Sequence, residues 1–487
     1  MTRDWRDDRI AELEAQLRAR DALIAEQVGQ IAALLVRVER LEEQLRSSSG
    51  NSSKPSSSDG PKQAADQKQK RAKKSKGRRP GGQPGRLKCS RALVPPSEVT
   101  KFHTVKPGCC AACKRKLHGA DPKPTLHQVA HLPEVKPWIE QWSLHALGCP
   151  CGHTTRAQLP PGVPRGAFGP SIVAVTAVLM GACRAGKRVT QSVMADLFGV
   201  QMSLGAVVGC QKLVSEALAQ PVQEAVQFMQ HAELKHSDET SWYQGAQRSR
   251  VWLWVAVTSA VTVFVIQTHR SAKAAQALLG KAKGTLISDR YSGYTWWPLS
   301  DRQICWSHLM RDFTAISERA GEAKHIGLAL LDEGNRLFHW WHRVLDGTLS
   351  RRNFHIYTRS LQNRVRALLV KAQTSADPKT ARTCKNLLRI FPALWLFVDT
   401  EGVEPTNNRA ERAVRHGVLW RKISLGTHSE HGSRFVERIL TTVATLRQQN
   451  RNLLGFIRQA CEAKLSGSQS PSLLPALAIK SQLAKAA

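Results

Sequence analysis

Acidic residues are scarce in this chain. Only 38 Asp and Glu stand against 71 Lys and Arg among 487 residues, a formal charge of +33. That imbalance points to a polyanionic partner, most simply nucleic acid, with an anionic membrane surface as the alternative. Long apolar runs are also missing. Val251 to Ile266 and Ala167 to Cys183 are the longest, and both fall short of the roughly 20 residues that span a bilayer. Neither a secretory signal nor a lipidation motif is recognisable. The eleven cysteines are odd in number and mostly scattered, which suits a reducing compartment. These absences lead us to expect a soluble, cytoplasmic protein with no membrane association. With 42% apolar residues the chain can bury cores, and its length calls for about three or four domains.

Residues 9–46 carry heptads. Ile10, Leu17, Ile24, Ile31, Val38 and Leu45 occupy a positions, and Leu13, Arg20, Gln27, Leu34 and Leu41 occupy d positions. This spacing predicts a coiled coil and self-association; one amphipathic helix packed on the rest of the chain is the alternative. Residues 47–99 read as a flexible basic linker, with eleven Lys or Arg and one Asp between Pro61 and Ser90. Such a run binds phosphates without sequence preference, and Arg78 and Arg79 are its candidate DNA contacts. Residues 100–160 hold two cysteine pairs, Cys110 with Cys113 and Cys149 with Cys151. Cys109 and His153 are possible substitutes. Two such pairs suit a structural zinc ribbon, the first spaced CxxC and the second CxC; cysteines clustered in a small core are the alternative. Residues 165–225 read as helices, two of them joined by a turn at Gly199 with Ser203 as an N-cap. That is a helix-turn-helix pattern shared by ordinary helical hairpins. Lys187, Arg188 and the nearby Arg184 are candidate phosphate contacts.

Residues 231–319 are rich in strand signals. "VWLWVAVT" and "VTVFVIQ" read as strands, Ser271 to Leu279 as a helix, Thr285 to Ser288 and "RQICWSH" as further strands. Three acids fall at expected element ends: Asp238, Asp289 and, on a late helix, Glu411. This order looks like an α/β, ribonuclease-H-like core, assembled from residues 231–319 and 401–456 around a helical insertion at 320–400, with 457–487 as a tail. Phosphodiester chemistry needs such acids, because two Mg²⁺ ions bound by carboxylates activate the attacking oxygen and stabilise the leaving one. Asp238 is the candidate bridging ligand. Each acid also has a plain reading: Asp238 as a helix N-cap, Asp289 as a turn opener, and Glu411 in a capping box begun by Asn408. Arg409, Arg412, Arg415, Arg421 and Lys422 form a candidate basic rim. His308 is either a helper that positions a phosphate or nucleophile, or a core or surface histidine.

The chain resembles the bacterial insertion-sequence family sixty-six transposases. The resemblance rests on "GGQPG" at Gly81 to Gly85, the cysteine pairs, "DET" at Asp238, "DRYSGY" at Asp289, "QICWSH" at Gln303 to His308, and "NNRAERAVR" from Asn407. It implies a DDE transposase with Asp238, Asp289 and Glu411 as catalytic, metal-binding residues and Mg²⁺ or Mn²⁺ as cofactor, preceded by a zipper-like helix, a zinc-binding domain and a helix-turn-helix. The implied partners are terminal inverted repeats, target DNA, further copies of the chain and companion proteins of the element, in the bacterial nucleoid. Competing classes are a DNA-binding regulator or inactive relic, and a metal-dependent nuclease.

Overall fold

The computed structural model describes residues 5–46, 48, 50, 51 and 91–475. Arg78, Arg79 and "GGQPG" lie outside the described residues. Helix α1 (Trp5–Arg46) runs for 42 residues. Its apolar stripe is uncovered: Ile10, Leu13, Leu17, Ile24, Ile31, Leu34, Val38 and Leu41 are all exposed.

From residue 91 to about 160 the chain has almost no regular structure. A three-residue hairpin pairs β1 (Ala146–Gly148) antiparallel with β2 (Thr154–Arg156). No residue between 91 and 160 is buried, and Trp138 and Ile139 are 77% and 88% exposed. A segment without a core needs some other staple.

Four helices follow: α2 (Pro170–Gly181), α3 (Lys187–Phe198), α4 (Leu204–Ala217) and α5 (Ala219–His231). Gly199 ends α3 in the left-handed conformation, and the Ser203 hydroxyl caps α4 by accepting the Ala206 N–H, as such residues do at helix ends.

The centre is a five-stranded mixed sheet in the order β5-β4-β3-β6-β7. Its strands are β3 (Leu234–Gln244), β4 (Ser249–Val257), β5 (Thr262–Gln267), β6 (Thr285–Ser288) and β7 (Arg302–Ile304). β3, β4 and β5 pair antiparallel, whereas β6 and β7 join parallel, with α6 (Ala272–Leu279) in the crossover from β5 to β6. The expected fifth strand is shorter than "RQICWSH": α7 (Trp306–Ser317) begins directly after Cys305, so Trp306 to His308 are helical.

An insertion of α8 (Gly321–Leu345), α9 (Arg351–Ala372), α10 (Pro378–Arg389) and the single turn α11 (Leu396–Asp399) packs Leu330, Leu337, Phe354 and Phe397 into a second core shared with β6, β7 and α7. The chain then returns with α12 (Asn408–Ser424), α13 (Glu430–Gln448) and α14 (Leu453–Ser466). α13 closes the sheet edge. Glu437, Thr441 and Thr445, spaced four apart on one helix face, accept the outward N–H groups of Ile266, Phe264 and Thr262 at 2.6, 2.9 and 3.0 Å. Helix period and strand period thus mesh, and the outward donors of β5 are satisfied by side chains.

Candidate active site

The site forms where β3 outruns its parallel neighbour. β6 pairs with β3 only from Leu234 to His236, so the β3 residues beyond that point are open on this side. Asp238 lies there. It does not end the strand as expected, since β3 continues through Gln244; it sits instead at the end of the parallel pairing. Asp289 follows the last residue of β6. The two acids therefore occupy neighbouring positions at the ends of adjacent parallel ladders.

Alternation along β3 sorts its side chains onto two faces. His236, Asp238, Thr240 and Trp242 look toward α12 and the loop after it. The His236 ring meets the Asn407 amide oxygen at 3.3 Å, Thr240 accepts from Arg421 at 3.1 Å, and Trp242 donates to Thr427 at 3.2 Å. Ser237 and Glu239 look the other way, toward Tyr294, whose hydroxyl reaches them at 3.2 and 2.7 Å.

Glu411 comes from the first turn of α12. Asn407, not Asn408, precedes this helix, and it forms no side-chain cap. The capping-box reading of Glu411 therefore fails by one residue. The Asn407 side chain is used elsewhere: its amide donates to the Ser237 carbonyl at 2.7 Å. Its backbone N–H reaches the Cys305 sulfur at 3.1 Å. The Cys305 thiol lies 3.7 Å and His308 Nδ1 3.4 Å from the same Glu411 oxygen. Burial, then the charge of Glu411, push the Cys305 thiol up to about 12, so it stays protonated and able to donate.

The electrostatics bind the three acids into one unit. Burial pushes the Asp238 carboxyl well above the usual carboxylate range, and the charges of Glu239, Asp289 and Glu411 push it further. Asp238 keeps part of its surface exposed. Mutual repulsion among poorly solvated carboxylates is what a bound cation relieves. Asp289 also makes the expected turn, one oxygen accepting the Tyr291 N–H at 2.9 Å. The carbonyl of Asp289 accepts from Arg302 at 2.9 Å, and Arg302 is only 2% exposed.

Several neighbours were not legible as site residues. Glu239, with 1% of its side chain exposed, pairs with Arg270 at 2.7 Å. Burial and then Asp289 push its carboxyl up to about 7. Asp312, one turn after His308 on α7, pairs with Arg290 at 2.6 Å. The adjacency of Glu239 to Asp238 was the available signal, and for Asp312 it was the four-residue step from His308.

The expected basic rim divides. Arg412, Arg415 and Lys422 on α12, and Lys187 and Arg188 on α3, are exposed and unpaired with carboxylates among the described residues. Arg409 pairs with Glu404 at 3.0 Å. Arg421 turns inward to the Ser241 carbonyl and hydroxyl.

In the cysteine segment each pair forms a turn. Backbone N–H groups of Cys113 and Ala112 lower the Cys110 thiol, and that of His153 lowers Cys151. Stabilised thiolates are what a metal takes. The two pairs do not converge: among the described residues the one group of three potential ligands whose atoms lie within 4.8 Å is Cys305, His308 and Glu411. A protonated thiol is a poor partner for Mg²⁺, which prefers oxygen. Cys305 is better placed to hold Glu411 than to share an ion with it, while the buried His308 Nδ1 approaches the same oxygen without a hydrogen bond.

Among the described residues no helix is long and apolar enough to cross a membrane. Comparison with known families finds that residues 165–434, more than half of the chain, match the family model described as "Transposase IS66 family". Residues 3–92 match a family of unknown function. No curated protein matches.

Proposed function

Because this chain belongs to the IS66 transposase family, we propose that it is a DDE-type enzyme that cuts the ends of its element and joins the resulting 3′-OH to target DNA. The observation that carries this reading is the placement of three acids far apart in sequence: Asp238 just past the β3–β6 pairing, Asp289 directly after β6, and Glu411 in the first turn of α12, which Asn407 ties to β3. The sheet, three antiparallel strands followed by two parallel ones with acids on β3 and after β6, fits a ribonuclease-H-like core.

All three acids supply the oxygen ligands that Mg²⁺ or Mn²⁺ takes, and together they would hold the ions. A bound pair of ions would activate the attacking oxygen and stabilise the leaving one. The chain's own work is placement. Cys305 directs the Glu411 carboxylate, Asn407 fastens α12 to β3, and Arg302 fixes the Asp289 turn. Arg412, Arg415 and Lys422 offer charge to DNA phosphates near the scissile bond.

Around this core the exposed stripe of α1 pairs protomers, so that two ends are brought together. α3 and α4 enter the terminal repeats as a helix-turn-helix, with Lys187 and Arg188 on phosphates. Zinc binding draws the turns of Cys110 and Cys113 and of Cys149 and Cys151 together and gives the coreless segment its staple. The deciding experiment is Mg²⁺-dependent joining of a pre-cut 3′-OH donor end to plasmid DNA, wild type beside Glu411→Gln. Joining by wild type, with none by a variant that still binds DNA, supports the assignment. Equal joining by both removes Glu411 from the chemistry.

A further inference from the structure

Away from the three acids, a shallow pocket opens where the α2–α3 turn meets α12 and α13. Arg184 from the turn, His416 from α12 and Arg447 from α13 line it, beside Gly181 and Ala444. None of these three basic side chains forms an ion pair or hydrogen bond among the described residues. Two arginines and a half-buried histidine from three elements thus line one pocket with no carboxylate among its lining residues, an arrangement suited to an anion.

The backbone holds the cluster in place. Arg184 adopts φ 60°, the left-handed conformation that a side chain seldom takes, and such strain persists only where the surroundings impose it. Gly181 lets the α2 backbone seat against the Ile439 side chain of α13, since a Cβ there would come within 2.2 Å of Ile439 Cγ1. His416 is half-buried. Burial, then the charges of Arg184 and Arg447, lower its pKa, so an anion in the pocket would also favour its protonation.

We infer that Arg184, His416 and Arg447 form a binding site for a DNA backbone phosphate, one that links the helical segment before the sheet to the helix carrying Glu411. The inference rests on the transposase reading for its ligand. His416 lies five residues beyond Glu411, about 7.5 Å along α12 and about 140° around it. The exposed Lys187 and Arg188 lie just past Arg184 in the chain and extend the same positive surface. A phosphate seated here fixes the angle between the end-binding helices and the catalytic helix, so that a bound end arrives aligned with the acids.

The test uses the full-length protein and a 30-bp duplex of arbitrary sequence, bound without divalent metal across a range of NaCl concentrations. Each phosphate contact contributes about 0.9 to the slope of log affinity against log salt. Arg447→Gln, on an exposed helix surface, is expected to lower the slope by about one contact, and Arg184→Gln likewise. Arg352→Gln, exposed on the remote α9, should leave it unchanged. Should Arg184→Gln fail to fold at its left-handed turn, Arg447→Gln decides alone. A wild-type slope in Arg447→Gln overturns the site. The slope needs no strand joining, so failure of the wild type to join DNA would count against the transposase reading and leave this result standing.

Discussion

Asn407 donates its side-chain amide to the Ser237 carbonyl at 2.7 Å, tying the residue that precedes α12 to the residue that precedes Asp238. One hydrogen bond thus sets the distance between the strand acid and the helix acid. The same side chain offers its oxygen to His236, whose pKa burial and then Arg409 lower to about 4. His236 is therefore neutral near pH 7 and donates from Nδ1.

From this tie, Asn407→Ala should lower stability by about 1–3 kcal/mol, the cost of leaving a buried carbonyl unsatisfied. Strand joining should fall by roughly 100-fold, because small misplacements of reacting groups cost about that much. Chemical denaturation and the joining assay, run on the same preparations, separate the two. Full joining by a destabilised variant would make Asn407 a structural residue only.

The sequence was most readable where one force dominated. β4 and β5 are nearly continuous apolar, β-branched and aromatic runs, and they appear where that pattern puts them. The run "DETSWYQ" within β3 is too polar to advertise a strand. Pairing with β4 from His236 to Gln244 holds it extended regardless. That polarity hid Glu239: only a strand that continues past Asp238 turns the next side chain to the opposite face and into the Tyr294 pocket. Asn407 was hidden by local capping rules, which take no account of a strand carbonyl competing for its amide. The cysteine segment has no periodicity to read, and its fold is not set by apolar burial.

Gly417 on α12 faces Leu253 of β4, and a Cβ at this position would lie 2.2 Å from Leu253 Cδ2. Leu253 is fully buried, so it has little room to yield. Gly417→Ala is expected to cost about 1–3 kcal/mol by overpacking and to lift α12, with Glu411, away from the sheet. Adding Leu253→Ala should recover part of that loss, and a double-mutant cycle in urea measures the coupling. Strict additivity would mean that the two residues do not press on one another.

Glu239 gives the protein a pH dependence of definite sign. Burial, then the charge of Asp289, raises its folded carboxyl from the usual 4.5 to about 7. Between those values the native state binds more protons than the unfolded chain, so stability falls as pH rises through the window. In the presence of a chelator, Tm should therefore decline from pH 4.5 to 7.5. Glu239→Gln cannot titrate and should flatten the decline. An equally steep fall in the variant would move the effect to Asp238, whose carboxyl is raised in the same direction.

The exposed stripe of α1 bears on assembly. Leu17, Ile24 and Ile31 are 59%, 57% and 57% exposed at heptad positions, and fully burying a side chain of this kind contributes about 1.5–3 kcal/mol. A helix of 42 residues on which these side chains stay exposed among the described residues gains that energy by pairing with another helix. Replacing Leu17 and Ile31 with Glu places charge on the seam at two separate turns. Sedimentation equilibrium should then show a shift from an oligomer to a monomer, with the melting of the central sheet unchanged. A wild type that sediments as a monomer at tens of micromolar would show that the stripe pairs with something other than its own copy. Pairing of two DNA ends would then have to come from contacts made by the catalytic part of the chain.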